Sequence, residues 1–378
     1  MRTSRFISPS AERSPAIYHC ISRVVDRDFK FGRIERDVFV RMMREYEEFC
    51  DVQVLSYCVM SNHFHVLIEV PPKVKGAPVP MSDEAFLSKI EKFYSRMYFL
   101  DVKQMLERFR DGGSDKAAEE LKAKYTCRMH DLSLFMKGLK QRFTQWFNGH
   151  HGRRGTLWEG RFKSVLVQSG YATRVMSAYI DLNPIRAGMV EKPEDYQWCS
   201  YGEALRPKNN KKARAGLCRV MQMNQATHQH CDDAEVLLPD WTKGGRDLGD
   251  EDSGVGAMYR MLLFADGEEV FVEPCESGEN DRKDMKCVRK GFSRKQVKRV
   301  LAQGGKLSLG EILRCKVRHF SDGMTFGSKE FVNKTFEHAR DRFGEKRKDG
   351  ARPMRGVGWS KKETRLYSMR QLGKSGLG

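Results

Sequence analysis

The sequence has no run of apolar residues approaching the roughly 18 to 20 that a membrane-spanning helix needs, and its opening MRTSRFISPSAERSP lacks the apolar core of a secretion signal. A cytoplasmic protein that works away from membranes is expected. Its ten cysteines (Cys20, Cys50, Cys58, Cys127, Cys199, Cys218, Cys231, Cys275, Cys287 and Cys315) include no Cys-x-x-Cys pair. That excludes the usual zinc spacing and leaves reduced, mostly structural thiols. Acidic residues are in short supply too, with 50 Asp and Glu against 68 Lys and Arg and a formal net charge of +18. Such an excess points to a polyanionic partner, nucleic acid first; a basic surface kept only for solubility is the alternative.

The 378 residues, 40% of them hydrophobic, supply material for one packed domain and a second unit. Ala16 to Val25 is rich in β-branched and aromatic residues and reads as a first strand. From Arg36 to Cys50, the residues Phe39, Met42, Met43, Tyr46 and Phe49 recur at three- and four-residue steps, the pattern of a helix with one apolar face. Gln53 to Met60 and His63 to Val70 are strands separated only by Ser61 and Asn62, hence an antiparallel hairpin. Residues 73–127 turn charged and helical around Asp111-Gly112-Gly113 and read as an inserted helical hairpin.

A second sheet-covering helix is expected from Asp131 to Phe147, stopping at Asn148-Gly149, then a basic loop, a fourth strand from Phe162 to Gln168, and a last helix from Tyr171 to Gly188. This order predicts an α+β fold, a ferredoxin-like four-stranded antiparallel sheet with helices, plus a mainly helical C-terminal extension. The Lys- and Asn-rich stretch LRPKNNKKARAG reads as a linker, which puts a domain boundary near 205. Residues 206–285 are then a linker or helical extension with an apolar helix at Met258 to Phe264. Residues 286–378 are a basic helical region with a short helix at Leu309 to Leu313 and a glycine turn at 323–327. A helix from Lys329 to Phe343, capped by Ser328, reads as a plain helical extension or, as the alternative, the reading helix of a helix-turn-helix.

In His63-Phe64-His65-Val66-Leu67-Ile68-Glu69-Val70, strand alternation puts Phe64, Val66, Ile68 and Val70 on one face and both histidines on the other. Neutral imidazoles spaced this way suit a divalent metal, although two packed histidines without metal would show the same pattern. In the last helix, Tyr179 and Asn183 stand four residues apart, so a nucleophile and a third ligand can share a face; packing by Tyr179 and capping of the Pro184 turn by Asn183 is the plainer account. Arg142, Arg153, Arg154, Arg161, Lys163 and Arg186, interleaved with Trp146, Trp158 and Phe162, suit a groove for a single strand. Arg153, Arg154 and Arg161 are the strongest of these. His228-Gln229-His230 repeats the spacing but lies in a polar segment where alternate residues do not face one another.

The strings YCVMSNHFHVLIEV, GTLWEGRFKSVLV and YIDLNPIRAGMV, followed by DYQWCSY, resemble the IS200-like single-tyrosine transposases, especially their REP-associated branch, over Ser14 to about Tyr201. The resemblance implies a ferredoxin-like domain over residues 1–205, His63 and His65 as ligands of Mg²⁺ or Mn²⁺, Asn183 as a third ligand, and Tyr179 as nucleophile. From the basic pattern above, Arg153, Arg154, Arg161, Lys163 and Arg186 are the expected DNA-binding residues. The expected activity is nicking and strand transfer on hairpin-forming single-stranded DNA through a 5′-phosphotyrosine, in the cytoplasm at the nucleoid. Relatives include monomers and homodimers. A rolling-circle initiator or relaxase shares the paired histidines and the tyrosine, and a domesticated nucleic-acid-binding protein would keep these residues without cutting.

Overall fold

The computed structural model describes residues 6–190, 192–223, 259, 263, 270–272, 286–289, 318–321, 323–353 and 366–370. The described elements begin with β1 (Ala16–Arg23), α1 (Arg33–Cys50), β2 (Gln53–Val59) and β3 (His63–Val70). Three helices follow, α2 (Asp83–Phe93), α3 (Arg96–Asp111) and α4 (Asp115–Thr126), where the sequence suggested a helical hairpin. Next come α5 (Leu132–His150), β4 (Lys163–Val167), α6 (Tyr171–Asp181), α7 (Asn183–Arg186), α8 (Ser200–Ala204) and α9 (Lys211–Gln222). The remaining described elements are β5 (Val270–Val272), β6 (Lys286–Arg289), α10 (Arg318–Ser321), β7 (Thr325–Gly327), α11 (Lys329–His338), β8 (Arg352–Pro353) and β9 (Tyr367–Met369).

The first four strands lie in the order β2-β3-β1-β4, all antiparallel, as the ferredoxin-like reading requires. Alternation then sorts their side chains. Tyr18, Cys20, Val54, Tyr57, Phe64, Val66, Ile68 and Leu166 face α1 and α5, with Phe39, Met43, Phe135, Leu139 and Phe143 completing that core. Ile17, Leu55, Leu67, Val165 and Val167 face the other way, under α6, α8 and α9. Gly138 of α5 lets the first layer close: a Cβ there would stand 2.4 Å from the Tyr46 ring of α1.

The sheet does not stop at four strands. β7 adds to β4 in parallel, and β9 and β8 follow, making seven in the order β2-β3-β1-β4-β7-β9-β8. The C-terminal region thus contributes strands as well as helix, because Leu166 and Gln168 leave backbone N–H groups on the open edge of β4 that Met324 and Phe326 carbonyls accept. The expected glycine turn at 323–327 is in part this strand. α11 is capped by the Ser328 side chain as expected but ends at His338, and the described element directly before it is β7.

The LRPKNNKKARAG stretch is a second departure. Its latter half opens α9, which packs on β2, with Gly216 so close that a Cβ would stand 2.5 Å from the Val54 carbonyl oxygen. Two of the basic residues that suggested a solvated linker are engaged on the domain, Lys212 by Glu48 at 2.9 Å and Arg214 by the Ala204 carbonyl at 2.8 Å, and Arg219 farther along α9 pairs with Glu69 at 2.8 Å. The helices expected at Met258 to Phe264 and Leu309 to Leu313 lie largely or wholly outside the described residues, as does His228-Gln229-His230.

Candidate active site

His63 and His65 lie on the face of β3 that looks toward α6, opposite Arg23 and Ile21 of β1 in the register. Their ring centroids are 5.1 Å apart. His65 is buried and His63 half-buried. Burial, with Arg23 adding to it, holds His63 down to about 4, and burial next to His63, His19 and Arg186 holds His65 well below the ordinary imidazole range. Both rings are therefore neutral at physiological pH, the form that ligates metal.

The hydrogen bonds of His63 settle which nitrogen carries its proton. Asn62 Nδ2 donates to the Arg27 carbonyl at 2.7 Å, so Asn62 Oδ1 is the end that faces His63 Nδ1, also at 2.7 Å. Nδ1 must donate, and Nε2 keeps its lone pair. A third histidine, His19 of β1, bonds His65 Nδ1 through its Nε2 at 2.9 Å. The sequence reading missed His19, although its place two residues before Ile21 on the same strand face was the signal that could have found it.

Tyr179 of α6 arrives against this pair, its ring centroid 5.8 Å from His65 and 6.1 Å from His19. Phe320 of α10 stacks on its other side at 4.4 Å, and the Arg186 guanidinium lies 4.3 Å from the ring centroid. Tyr179 is 5% exposed, so the ring is enclosed by these groups. β7 brings Phe320 here by pairing with β4, a contribution no local motif announces.

Asn183 is buried and has its own partners. Pro184 has no N–H to give the Ile180 carbonyl, and Asn183 Nδ2 fills that gap at 3.2 Å while its Oδ1 accepts from Arg186 at 2.9 Å. The proline also divides the expected single helix into α6 and α7. Asp181 points away from the histidines, fully buried beneath the Tyr259 hydroxyl at 2.5 Å and the Tyr201 N–H at 3.2 Å, and burial pushes its carboxyl up to about 7.

Of the basic residues singled out from sequence, Arg161 and Lys163 are exposed and line a cleft of about 270 Å³ with Arg23, Arg27 and Ser22, beside the histidine face. Arg154 is exposed, and Arg153 packs its guanidinium 5.8 Å from the Phe147 ring. Arg186 lies on Tyr179 itself. Arg142 pairs with Glu45 at 2.8 Å, and Trp158 is buried with its Nε1–H on Thr144 Oγ1, so neither is presented to a ligand. Among the described residues, Glu35, His150 and His151 bring ligand atoms within 4.8 Å of one another, but on α1 and α5, across the sheet from Tyr179.

His63 and His65 thus fit two positions of a divalent cation's shell: neutral rings on one strand face, with Nδ1 of each engaged by a neighbour and Nε2 left to ligate. A comparison with known structures finds a REP-associated tyrosine transposase bound to a REP hairpin, at 12% identity and a TM-score of 0.33, covering 54% of this chain and 86% of that one. No curated protein matches the chain. Residues 13–111, which hold β1, α1 and the paired-histidine strand but not Tyr179, match the family model described as transposase IS200 like. By its histidine-bearing segment the chain is similar to the IS200-like transposases over about a quarter of its length.

Proposed function

We propose that the protein is a transposase that cuts and rejoins single-stranded DNA with Tyr179 as nucleophile and His63 and His65 as ligands of Mg²⁺ or Mn²⁺. The observation that carries the reading is the convergence of a neutral histidine pair on β3 with a tyrosine from α6, at 5.8 Å between the His65 and Tyr179 centroids. A divalent ion held by the two Nε2 atoms would neutralise a nonbridging phosphate oxygen and polarise phosphorus. Tyr179 Oη then attacks phosphorus and the bond to the 3′ oxygen breaks. The phenol proton passes to solvent, the 3′ oxygen leaves as a hydroxyl, and the 5′-phosphate stays on the tyrosine.

Arg186 places positive charge beside the ring whose oxygen carries the attack. Arg23, Arg27, Arg161 and Lys163 offer cations for flanking phosphates in the adjoining cleft. Phe320 has to yield before a strand can reach Tyr179, since the two rings are stacked. The resemblance of the motifs makes a hairpin-forming strand the substrate, in cytoplasm at the nucleoid, with the protein acting as monomer or homodimer. The position of Asn183 Oδ1 on Arg186 leaves a third metal ligand to come from rearrangement or from the DNA.

The test incubates the protein with labelled strands from both flanks of its own gene, with Mg²⁺, Mn²⁺ or EDTA, and looks for SDS-resistant adducts. A metal-dependent adduct lost in Tyr179→Phe and His63→Ala supports the reading. Cutting that survives Tyr179→Phe indicates a hydrolase, and tight binding without cutting indicates a domesticated binder.

A further inference from the structure

The hydrogen bonds behind His65 form a chain whose direction is fixed at one end. The Phe320 carbonyl can only accept, and His19 Nδ1 lies 3.1 Å from it, so Nδ1 of His19 carries the proton. His19 is fully buried, an environment that keeps the ring neutral, so with its proton on Nδ1 its Nε2 is an acceptor. That acceptor meets His65 Nδ1 at 2.9 Å, so His65 must donate there. The two ring planes differ by 14° with centroids 5.1 Å apart. A linear N–H···N bond between coplanar imidazoles gives roughly 5 Å, so the rings share a plane edge to edge.

We propose that His19 is a positioning residue: it locks His65 in the Nδ1-protonated tautomer and turns its Nε2 toward the metal position, with the Phe320 carbonyl as anchor. His63, its Nδ1 on Asn62, is set in the same tautomer, so the two ligating lone pairs are matched before any ion arrives. The consequence is long-range in sequence. Phe320 stands 301 residues after His19, so the C-terminal region completes the metal site through a backbone carbonyl while its ring packs the nucleophile. A solvent molecule is a poor substitute, because His19 is 0% and His65 3% exposed.

This inference rests on the reading of His63 and His65 as ligands, and the experiment separates the two. In full-length protein without metal, imidazole ¹⁵N NMR should show His19, His63 and His65 all protonated at Nδ1. His19→Leu removes the acceptor, and the His65 signals should move toward the Nε2-protonated form. His19→Gln can accept from His65 with Oε1 and donate to Phe320 with Nε2, and should hold the original tautomer. Calorimetric Mn²⁺ titration should show affinity falling by about 10- to 100-fold in His19→Leu and mostly restored in His19→Gln. Wild-type His65 protonated at Nε2, or a folded His19→Leu that binds Mn²⁺ like wild type, overturns the relay. Should His19→Leu fail to fold, the wild-type tautomer and His19→Gln still decide. If His63→Ala binds Mn²⁺ as wild type does, the ligand reading itself fails, whatever the tautomer of His65.

Discussion

Replacing Asp181 with Asn should make the protein's stability less sensitive to rising pH. Asp181 sits in α6, two residues after Tyr179, with no exposed surface, and its Oδ2 accepts from a Tyr259 hydroxyl that also bonds Ser177 Oγ at 2.6 Å. Burial raises its carboxyl from an ordinary 3.8 to about 7. A folded-state value above the unfolded one means the fold holds the proton more tightly. The stabilisation is therefore complete below about pH 4 and is lost as pH climbs through 7. From pH 5 to pH 8 the change is about 2.5 kcal/mol, at up to about 1.4 kcal/mol per pH unit and flattening as the folded-state carboxyl ionises near 7. Asn cannot ionise, and its amide can keep the Tyr201 N–H bond while Tyr259 reverses its hydroxyl. Urea unfolding of both proteins at pH 5 and pH 8 isolates the effect, since other titrating groups cancel in the double difference. Wild type should lose an additional amount of about 2.5 kcal/mol; equal pH dependence of the two proteins would refute the reasoning.

Other expectations follow from packing and charge. Gly216→Val should cost about 1 to 3 kcal/mol in thermal unfolding, because the new side chain meets the Val54 and Leu55 carbonyl oxygens, backbone that has no rotamer to change. Phe39→Ala, at a fully buried position against Phe64 and Phe143, should cost about 3 to 5 kcal/mol. Arg161→Ala and Lys163→Ala should each lower the slope of log affinity against log salt by about one for single-stranded DNA, measured by fluorescence anisotropy, with little change in folding; an unchanged slope would remove the cleft from the DNA path.

What was legible in the sequence was whatever a period or a sterically narrow residue encodes. Period-two alternation in His63 to Val70 put both histidines on the face that looks at α6, and the apolar steps of α1 and α5 named the helices of the opposite face. α9 was misread because Lys211, Lys212 and Arg214 look like a solvated run until Glu48 meets Lys212 and the Ala204 carbonyl accepts from Arg214, both from other elements. The strands β7, β8 and β9 were missed because each is two or three residues long, too short for any alternation to register. His19 and Phe320 join the site through long-range pairing, and no spacing in the chain announces that. Asn183 shows the reverse limit: sequence placed it on the Tyr179 side of the turn, but the missing N–H of Pro184 claims its amide.

The most direct test of the central claim is to digest the protein-DNA adduct with protease and nuclease and locate the attached nucleotide by mass spectrometry. The account predicts a 5′-phosphonucleotide on Tyr179, formed with Mg²⁺ or Mn²⁺ and absent with EDTA; attachment to any other residue, or cleaved DNA with no attachment, would contradict it.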